Sequence, residues 1–387
     1  MMNNTSPANS DEHITLLPHE PSSPPSCEKN IPANGNASPL SVIFNVSNST
    51  IGAGILAIPY AFHQSGILLG CTILILVCIV TTVTSIFLLR ACEISHGTSY
   101  KAIGMKAFNN SRIFSLLNDT LMIIFCFGVM LAYTSIAGDY LSSLWKLLLG
   151  DENILHSKNF NCFLVTLFMT LPLSCLRRIG FLSYTSYLSI LCVVLTLCVI
   201  LVGFIRKIAQ MPHRHDYHIT LVQDGANFFQ VFVAFPVLFF SFGNTVTLIP
   251  IYYELKHRSM ERMIRIVVAS GLICLLCYLF AGIFGYVQFG DGGIKENILN
   301  AFRGEGMDVV GAKVCMVVVS VASYPLIHFP ARQTIDALLF PGREFSWVRW
   351  VGEAVVLAVL VVLTLLIPFD LVTIFGLTGR LCVKFLL

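Results

Sequence analysis

The sequence predicts an all-α, polytopic membrane protein, built as two helical repeats of opposite orientation. Three observations predict it. The chain is 56% hydrophobic and only 12% charged, with a mean hydropathy of +0.78, whereas soluble domains carry roughly 25% charged residues. Nine apolar segments are long enough to cross a bilayer. Two of them, the first and the sixth, are interrupted midway by polar residues, glycine and proline. Paired interruptions in matching positions of two halves are the mark of inverted repeats with a binding site at the midplane.

Residues 1–39 are rich in Asn, Ser and Pro and lack periodicity, so they read as a disordered cytosolic tail. No charged-apolar-small signal peptide opens the chain. Within the tail, Glu12, Leu16 and Leu17 match an acidic dileucine pattern that a sorting adaptor would recognise; tail residues of no consequence would look the same. The membrane region is 40–387. Its spans fall at about 40–64, 68–92, 113–145, 160–176, 182–205, 226–252, 264–289, 309–333 and 348–369. The first repeat covers about 40–205 and the second about 226–387. A tenth apolar piece begins at Leu371 and is too short to span. Most of the thirteen cysteines, including Cys78, Cys126 and Cys274, lie inside apolar runs and read as small buried hydrophobes.

Lys and Arg concentrate after segments two, four, six and eight: Arg90, Lys101, Arg177, Arg178, Arg258, Arg262, Arg332 and Arg343 are among them. The opposite loops carry fewer, diluted by acids such as Asp151, Glu152 and Glu296. The positive-inside rule then places the N-terminus in the cytosol.

The first segment, LSVIFNVSNSTIGAGILAIPYAFHQ, gathers Asn45, Ser47, Asn48, Ser49 and Thr50, then Gly52, Gly54 and Pro59. Polar side chains at membrane depth face the bundle interior. Glycine favours unwinding, and Pro59 lacks an amide donor. Unwound backbone is tolerated there only where protein covers it or it lines a cavity. A kinked structural helix with Ser/Thr/Asn contacts to its neighbours is the competing reading. The coincidence of the polar cluster with the Gly-Pro break favours a site. The sixth segment repeats the theme: Ser241, Gly243, Asn244, Thr245 and Thr247 follow an apolar run, and Pro250 is read as its stop.

Free amides at Ile51, Gly52, Ala53 and Gly54 suit a carboxylate. Unwound carbonyls and half-helix ends around Ser241, Phe242, Gly243 and Asn244 suit an ammonium group or Na+. A zwitterion meets both demands, so the ligand is expected to be an amino acid. No Asp or Glu sits in either break, which disfavours a cationic substrate. No Gly-x-x-x-x-Gly-Lys-Ser/Thr loop is present, which disfavours ATP. In the eighth segment Ser320 and Ser323 lie one turn apart, as hard oxygen ligands for Na+ or as interhelical hydrogen bonders. His328 is read as a solvated or capping residue near a helix end, a proton-sensitive group being the other reading, and Asp139 as lying near the outer interface.

Four separated stretches resemble the sodium-coupled neutral amino acid transporters, solute carrier family 38. They are SVIFNVSNSTIGAGILAIPYAFHQSG, IGFLSYTSYLS, SFGNTVTLIPIYYELKHRSMERM and YPLIHFPARQTI. The resemblance covers roughly 40–379. It implies a LeuT-like five-plus-five inverted-repeat fold with discontinuous first and sixth helices. It also implies transport of glutamine-like neutral amino acids, with Na+ as coupling ion and no organic cofactor. On it, Asn45, Asn48 and Ser323 stand where ion or substrate ligands lie, and Val321 stands where several relatives keep threonine. IPFDLVTIFGLTG follows the family pattern, and the residues from Arg380 leave it. The tenth helix is therefore expected to be incomplete and the eleventh absent, as in a truncated form that transports poorly. A monomer in a plasma or endolysosomal membrane is expected, with no nucleic-acid partner. An amino acid sensor with the same pocket and no net flux is the alternative. A membrane enzyme would need an ionisable constellation that the segments lack.

Overall fold

The computed structural model describes residues 35–97, 99–109, 111–149, 154–175, 183–210, 219–221, 228–302, 306–340, 346–366 and 376. The readings made on Glu12, Leu16 and Leu17, on Arg177 and Arg178, and on the stretch from 367 through Arg380 lie outside these residues, Gly376 excepted.

The described chain is helical, and seven of its helices are long and apolar enough to cross a membrane. The first segment forms α1 (Pro39–Ile51), a short 3-10 run (Ala53–Leu56) and α2 (Ile58–Ser65). Then come α3 (Ile67–Ser95), the short α4 (Tyr100–Ala107) and the long α5 (Arg112–Leu149). The fourth span is α6 (Lys158–Val165), a π turn (Thr166–Thr170) and α7 (Leu171–Ser174). After α8 (Ser183–Gln210), the sixth segment splits into α9 (Phe228–Ser241) and α10 (Thr245–Glu254). The bundle closes with α11 (Met260–Phe289), α12 (Met307–Leu339) and α13 (Trp347–Leu365).

Burial separates a centre from a shell. The best window of the sixth segment is 83% buried and that of α5 78%, against 28% for α8 and for α13. Broken helices thus occupy the core, where partners can satisfy their freed backbone. The outer helices present Phe87, Leu276 and Val348 outward, as lipid contact requires. α1 packs on α8 and α11, α2 on α9 and α11, and α12 on α5 and α8. The end of the bundle where α1 begins is called proximal and the end where α2 finishes distal. At the proximal end Ala37 donates to Glu254 O (2.9 Å) and accepts from Lys256 N (2.9 Å), clasping the start of α1 to the end of α10. At the distal end Ile67 and Leu68 donate to Thr220 O and Leu221 O (3.3 and 3.1 Å), capping the free amides that open α3.

Candidate substrate and ion site

The first break is written in α1's last turn. Ser49 and Thr50 turn their hydroxyls back onto Val46 O (2.9 and 2.7 Å), competing for an acceptor of the helical ladder. Gly52 then adopts φ +31°, a region that L side chains rarely enter, and ends the helix. Its amide still closes onto Asn48 O (3.3 Å). Of the four amides expected to be free, that of Gly52 is therefore occupied. Those of Ala53 and Gly54 open the 3-10 run, a position without an intrahelical acceptor. Pro59 sits in the first turn of α2, where a missing amide hydrogen costs nothing.

The second break is shorter. Ser241 bonds back to Val237 O (2.9 Å). Phe242, Gly243 and Asn244 donate to Phe239, Phe240 and Phe242 carbonyls at 2.8–3.2 Å. Thr247 closes the first turn of α10 onto Asn244 O. Pro250 does not stop the helix as the sequence suggested: α10 runs through it to Glu254. In a packed membrane interior neighbouring groups re-satisfy a carbonyl that a proline frees.

The two breaks meet. Asn244 Nδ2 donates to Thr50 Oγ1 (3.0 Å). A Cβ built at Gly54 would lie 2.9 Å from Ser241 Oγ, so only glycine permits this approach. From α11, the Tyr278 hydroxyl lies 2.8 Å from Thr50 O, 3.4 Å from Ile51 O and 2.5 Å from Ser241 O. One hydroxyl hydrogen thus serves three carbonyls drawn from both breaks. The Phe242 ring stands edge-on to Tyr278, with centroids 5.1 Å apart. Between the breaks is a cavity of about 20 Å³, lined by Thr50, Gly52, Gly54, Tyr133, Ser241 and Gly243 among others. Such a space holds roughly one water, so an amino acid enters only if the surrounding helices move.

A second polar node lies one turn back along α1. Asn48 Oδ1 accepts from Ser323 Oγ (3.1 Å), and Asn48 Nδ2 donates to Ser186 Oγ (3.2 Å), joining α1, α8 and α12. All three residues are at most 1% exposed. Asn45 and Ser320 are as deeply buried, and neither side chain has a hydrogen-bond partner among the described residues.

Of the residues proposed for substrate, the structure brings Gly52, Gly54, Ser241 and Gly243 to one cavity. Ile51 lies beside it through its carbonyl and Asn244 through Thr50. Of the four proposed for Na+, it joins Asn48 to Ser323, and no hydrogen bond links Asn45 or Ser320 to them among the described residues. Sequence reasoning missed Tyr278, Ser186 and Tyr133, and named Thr50 only as one of the polar cluster. A tyrosine in the middle of an apolar span was the available signal, since its hydroxyl must find a partner there.

Two further placements are corrections. His328 is neither solvated nor at a helix end: α12 continues past Pro325 and Pro330 to Leu339. Its ring is 1% exposed and stacks on Tyr324. Arg332 is no loop charge. It is fully buried, donates to Trp350 O (3.2 Å), and lies 3.4 Å over the Trp350 ring, a cation–π contact that holds the guanidinium inside the bundle.

The family model described as "transmembrane amino acid transporter protein" matches residues 35–387. The chain is 28% identical to the sodium-coupled neutral amino acid symporter 2 of Danio rerio, covering 89% of this chain and 72% of that protein. Among solved structures it resembles MhsT in complex with L-phenylalanine (TM-score 0.58, 15% identity, 91% of this chain and 89% of that one). It also resembles Mhp1, a nucleobase-cation-symport-1 family transporter (0.60, 15%, 89% and 75%). A Na+-coupled sialic acid symporter matches at 0.54 and 11% identity, over 92% of this chain and 77% of that one. These likenesses establish the LeuT-like fold expected from the sequence.

Proposed function

This chain belongs to the transmembrane amino acid transporter protein family, and on that premise we propose that it carries a neutral, glutamine-like amino acid by alternating access, with Na+ as the coupling ion. The observation that carries the reading is the convergence of both helix breaks on Tyr278 and Thr50. Ala53 and Gly54 offer amides to a substrate carboxylate. The Thr50, Ile51 and Ser241 carbonyls, reached by the Tyr278 hydroxyl, offer oxygens to the ammonium group once the helices part.

For the ion, the donor set fits. Asn48 Oδ1 and the Ser323 hydroxyl are hard oxygens in mutual contact. Buried Asn45 and Ser320, whose polar atoms lack partners among the described residues, supply further capacity nearby along α1 and α12. The sodium-coupled relative supports this assignment. Within the family, the four motifs resemble those of sodium-coupled neutral amino acid transporter 6. We place the proximal end in the cytosol, on the distribution of Lys and Arg. The chain is proposed to act as a monomer in the bilayer, with repeats at about 40–205 and 226–387.

The test is a substrate panel in proteoliposomes under imposed Na+ and pH gradients. Glutamine or another neutral amino acid should accumulate above protein-free liposomes, and removing Na+ should lower its uptake. Saturable binding without uptake would replace this reading with that of a sensor.

A further inference from the structure

Charges are rare at membrane depth, and those that occur there pair with one another or mark ion and proton paths. Four of them meet where α12 and α13 approach the proximal end of the bundle. Each helix carries a cation and an acid one turn apart: Arg332 and Asp336 on α12, Arg349 and Glu353 on α13. Arg349 Nε donates to Asp336 Oδ1 (2.6 Å) and stands 3.9 Å from Glu353 Oε1. The Arg349, Asp336 and Glu353 side chains are 17%, 15% and 8% exposed, and Arg332 is fully buried. The helix breaks and the Asn48–Ser323 node use none of the four.

The two acids are not served alike. Asp336 takes the short bond from Arg349. Glu353 has only the far side of the same guanidinium, and neither of its carboxylate oxygens has a hydrogen-bond partner among the described residues. Arg332 does not make up the difference. It faces Glu353, but its guanidinium lies on the Trp350 ring and donates to Trp350 O. Asp336 stands beside Glu353 as a second negative charge. Cys175, at the end of α7, and His328, on α12, face Arg332. α5 and α6 also pack on α13, and no ion pair or hydrogen bond joins Glu353 to them among the described residues. A carboxylate withdrawn from water is costly unless it is both paired and hydrogen-bonded. Glu353 lacks the second, and a proton relieves it.

We propose that Glu353 is a proton-binding site that opens to the proximal side. It lies within two turns of the start of α13 at Trp347, so a proton reaches it without crossing the bundle. With the carboxyl ionised, Arg349 is shared between α12 and its own helix, and the quartet is neutral. With the proton bound, Arg349 pairs with Asp336 alone, and the quartet carries one positive charge. α12 also holds Ser323, so the proton acts on the helix that the coupling ion is proposed to use. The effect on flux rests on the transport reading; the proton site itself does not.

The experiment uses the full chain in proteoliposomes, with pH equal on both sides and varied from about 5 to 8. Infrared pH-difference spectra read the protonated carboxyl directly, and glutamine uptake at saturating Na+ is measured beside them. The unmodified protein should show a carboxyl band that grows as pH falls, and a step in uptake over the same range. Glu353→Gln, similar in shape and fixed without charge, should lose both. Glu353→Asp keeps an ionisable group and should keep both. Arg349→Gln removes a cation that favours the ionised form, so the midpoint of the band should move up by about one pH unit or more. A band and a pH profile that Glu353→Gln leaves unaltered overturn the proposal, and so does a midpoint that Arg349→Gln leaves in place. Should Arg349→Gln fail to fold, the two Glu353 variants decide. A band that Glu353→Gln abolishes, with no uptake by any of the proteins, would remove the transport reading and keep the proton site.

Discussion

The two helix breaks solve one problem in different ways. The break in the first segment runs from Gly52 to Ala57 and depends on sterics: a positive φ at Gly52 and a 3-10 run behind it. The break in the sixth spans only Phe242–Asn244 and is closed by its own backbone hydrogen bonds. Gly52 faces the Tyr133 hydroxyl so closely that a Cβ would lie 2.2 Å from it. A Cβ at Gly243 would lie 2.9 Å from the tip of Phe125 and 3.0 Å from Phe240 O, with no unusual φ. The first break is held from outside by its neighbours and cannot absorb a side chain. The second closes on its own backbone, with Tyr278 and Thr50 tying it to the first. By this contrast α1–α2 is the sterically fixed, rigid half of the site, and α9–α10 the half with more backbone freedom.

The sharpest way to break this comparison is to substitute both glycines. Gly52→Ala meets about 1–3 kcal/mol of backbone strain, and the Tyr133 overlap adds to it. Uptake should fall to background at matched protein level. Gly243→Ala should keep measurable uptake, reduced several-fold. Equal losses in the two would remove the distinction between a sterically fixed and a self-satisfied break.

Next in size is Tyr278→Phe. It leaves three buried carbonyls without their shared donor, and an unsatisfied buried group costs about 1–3 kcal/mol. Since both breaks lose their link, uptake should drop by about tenfold or more, with a lower melting temperature. A Tyr278→Phe protein with normal kinetics would show that the breaks are held apart from α11.

The breaks themselves were legible because their signals are local: a polar cluster, two glycines and a proline within one span. Tyr278 was not, because its partners lie 37 and 228 residues away and only the fold brings them to it. One proline misled: Pro250 read as a helix stop, yet α10 continues through it, as α12 does through Pro325 and Pro330. The eighth span was expected to finish at about 333, which put His328 near a helix end and Arg332 among the loop charges, whereas α12 runs on to Leu339. In water a proline ends or kinks a helix because it removes the hydrogen bond to the i−4 carbonyl and its ring crowds that carbonyl. In a packed bilayer core no solvent competes, and neighbouring helices, Ser/Thr side chains and small local adjustments of the helix re-satisfy the freed groups.

Asn48 and Ser323 probe the boundary between the rigid half and its scaffold, because their hydrogen bond ties α1 to α12. Each alanine substitution should raise the Na+ concentration for half-maximal uptake by about tenfold, the scale of one lost buried hydrogen bond. The double variant should fall short of the product of the two, since residues in contact couple. Full multiplicativity would mean that the two residues serve separate functions.

The smallest effect concerns the distal end, where α2 is tied to α11 through Asp291. His63 Nδ1 lies 3.1 Å from its Oδ1, the Tyr286 hydroxyl also donates to Oδ1, and Thr220 Oγ1 donates to Oδ2 (3.1 Å). Partial burial works to raise the Asp291 carboxyl, but the bonds from Tyr286, Thr220 and His63 outweigh it and hold the group below its ordinary value. A depressed folded-state value contributes stability that is present above the unfolded value of about 3.9 and lost as pH falls through the folded one. Measured in a His63→Gln background, so that only the carboxylate titrates, Asp291→Asn should lower the melting temperature by about 1–3 °C at pH 7. The difference should stay constant to about pH 5 and vanish only below about pH 4. A difference already gone at pH 6 would place the Asp291 carboxyl above its ordinary value and would dissolve the tie that fixes the outer half of the rigid break.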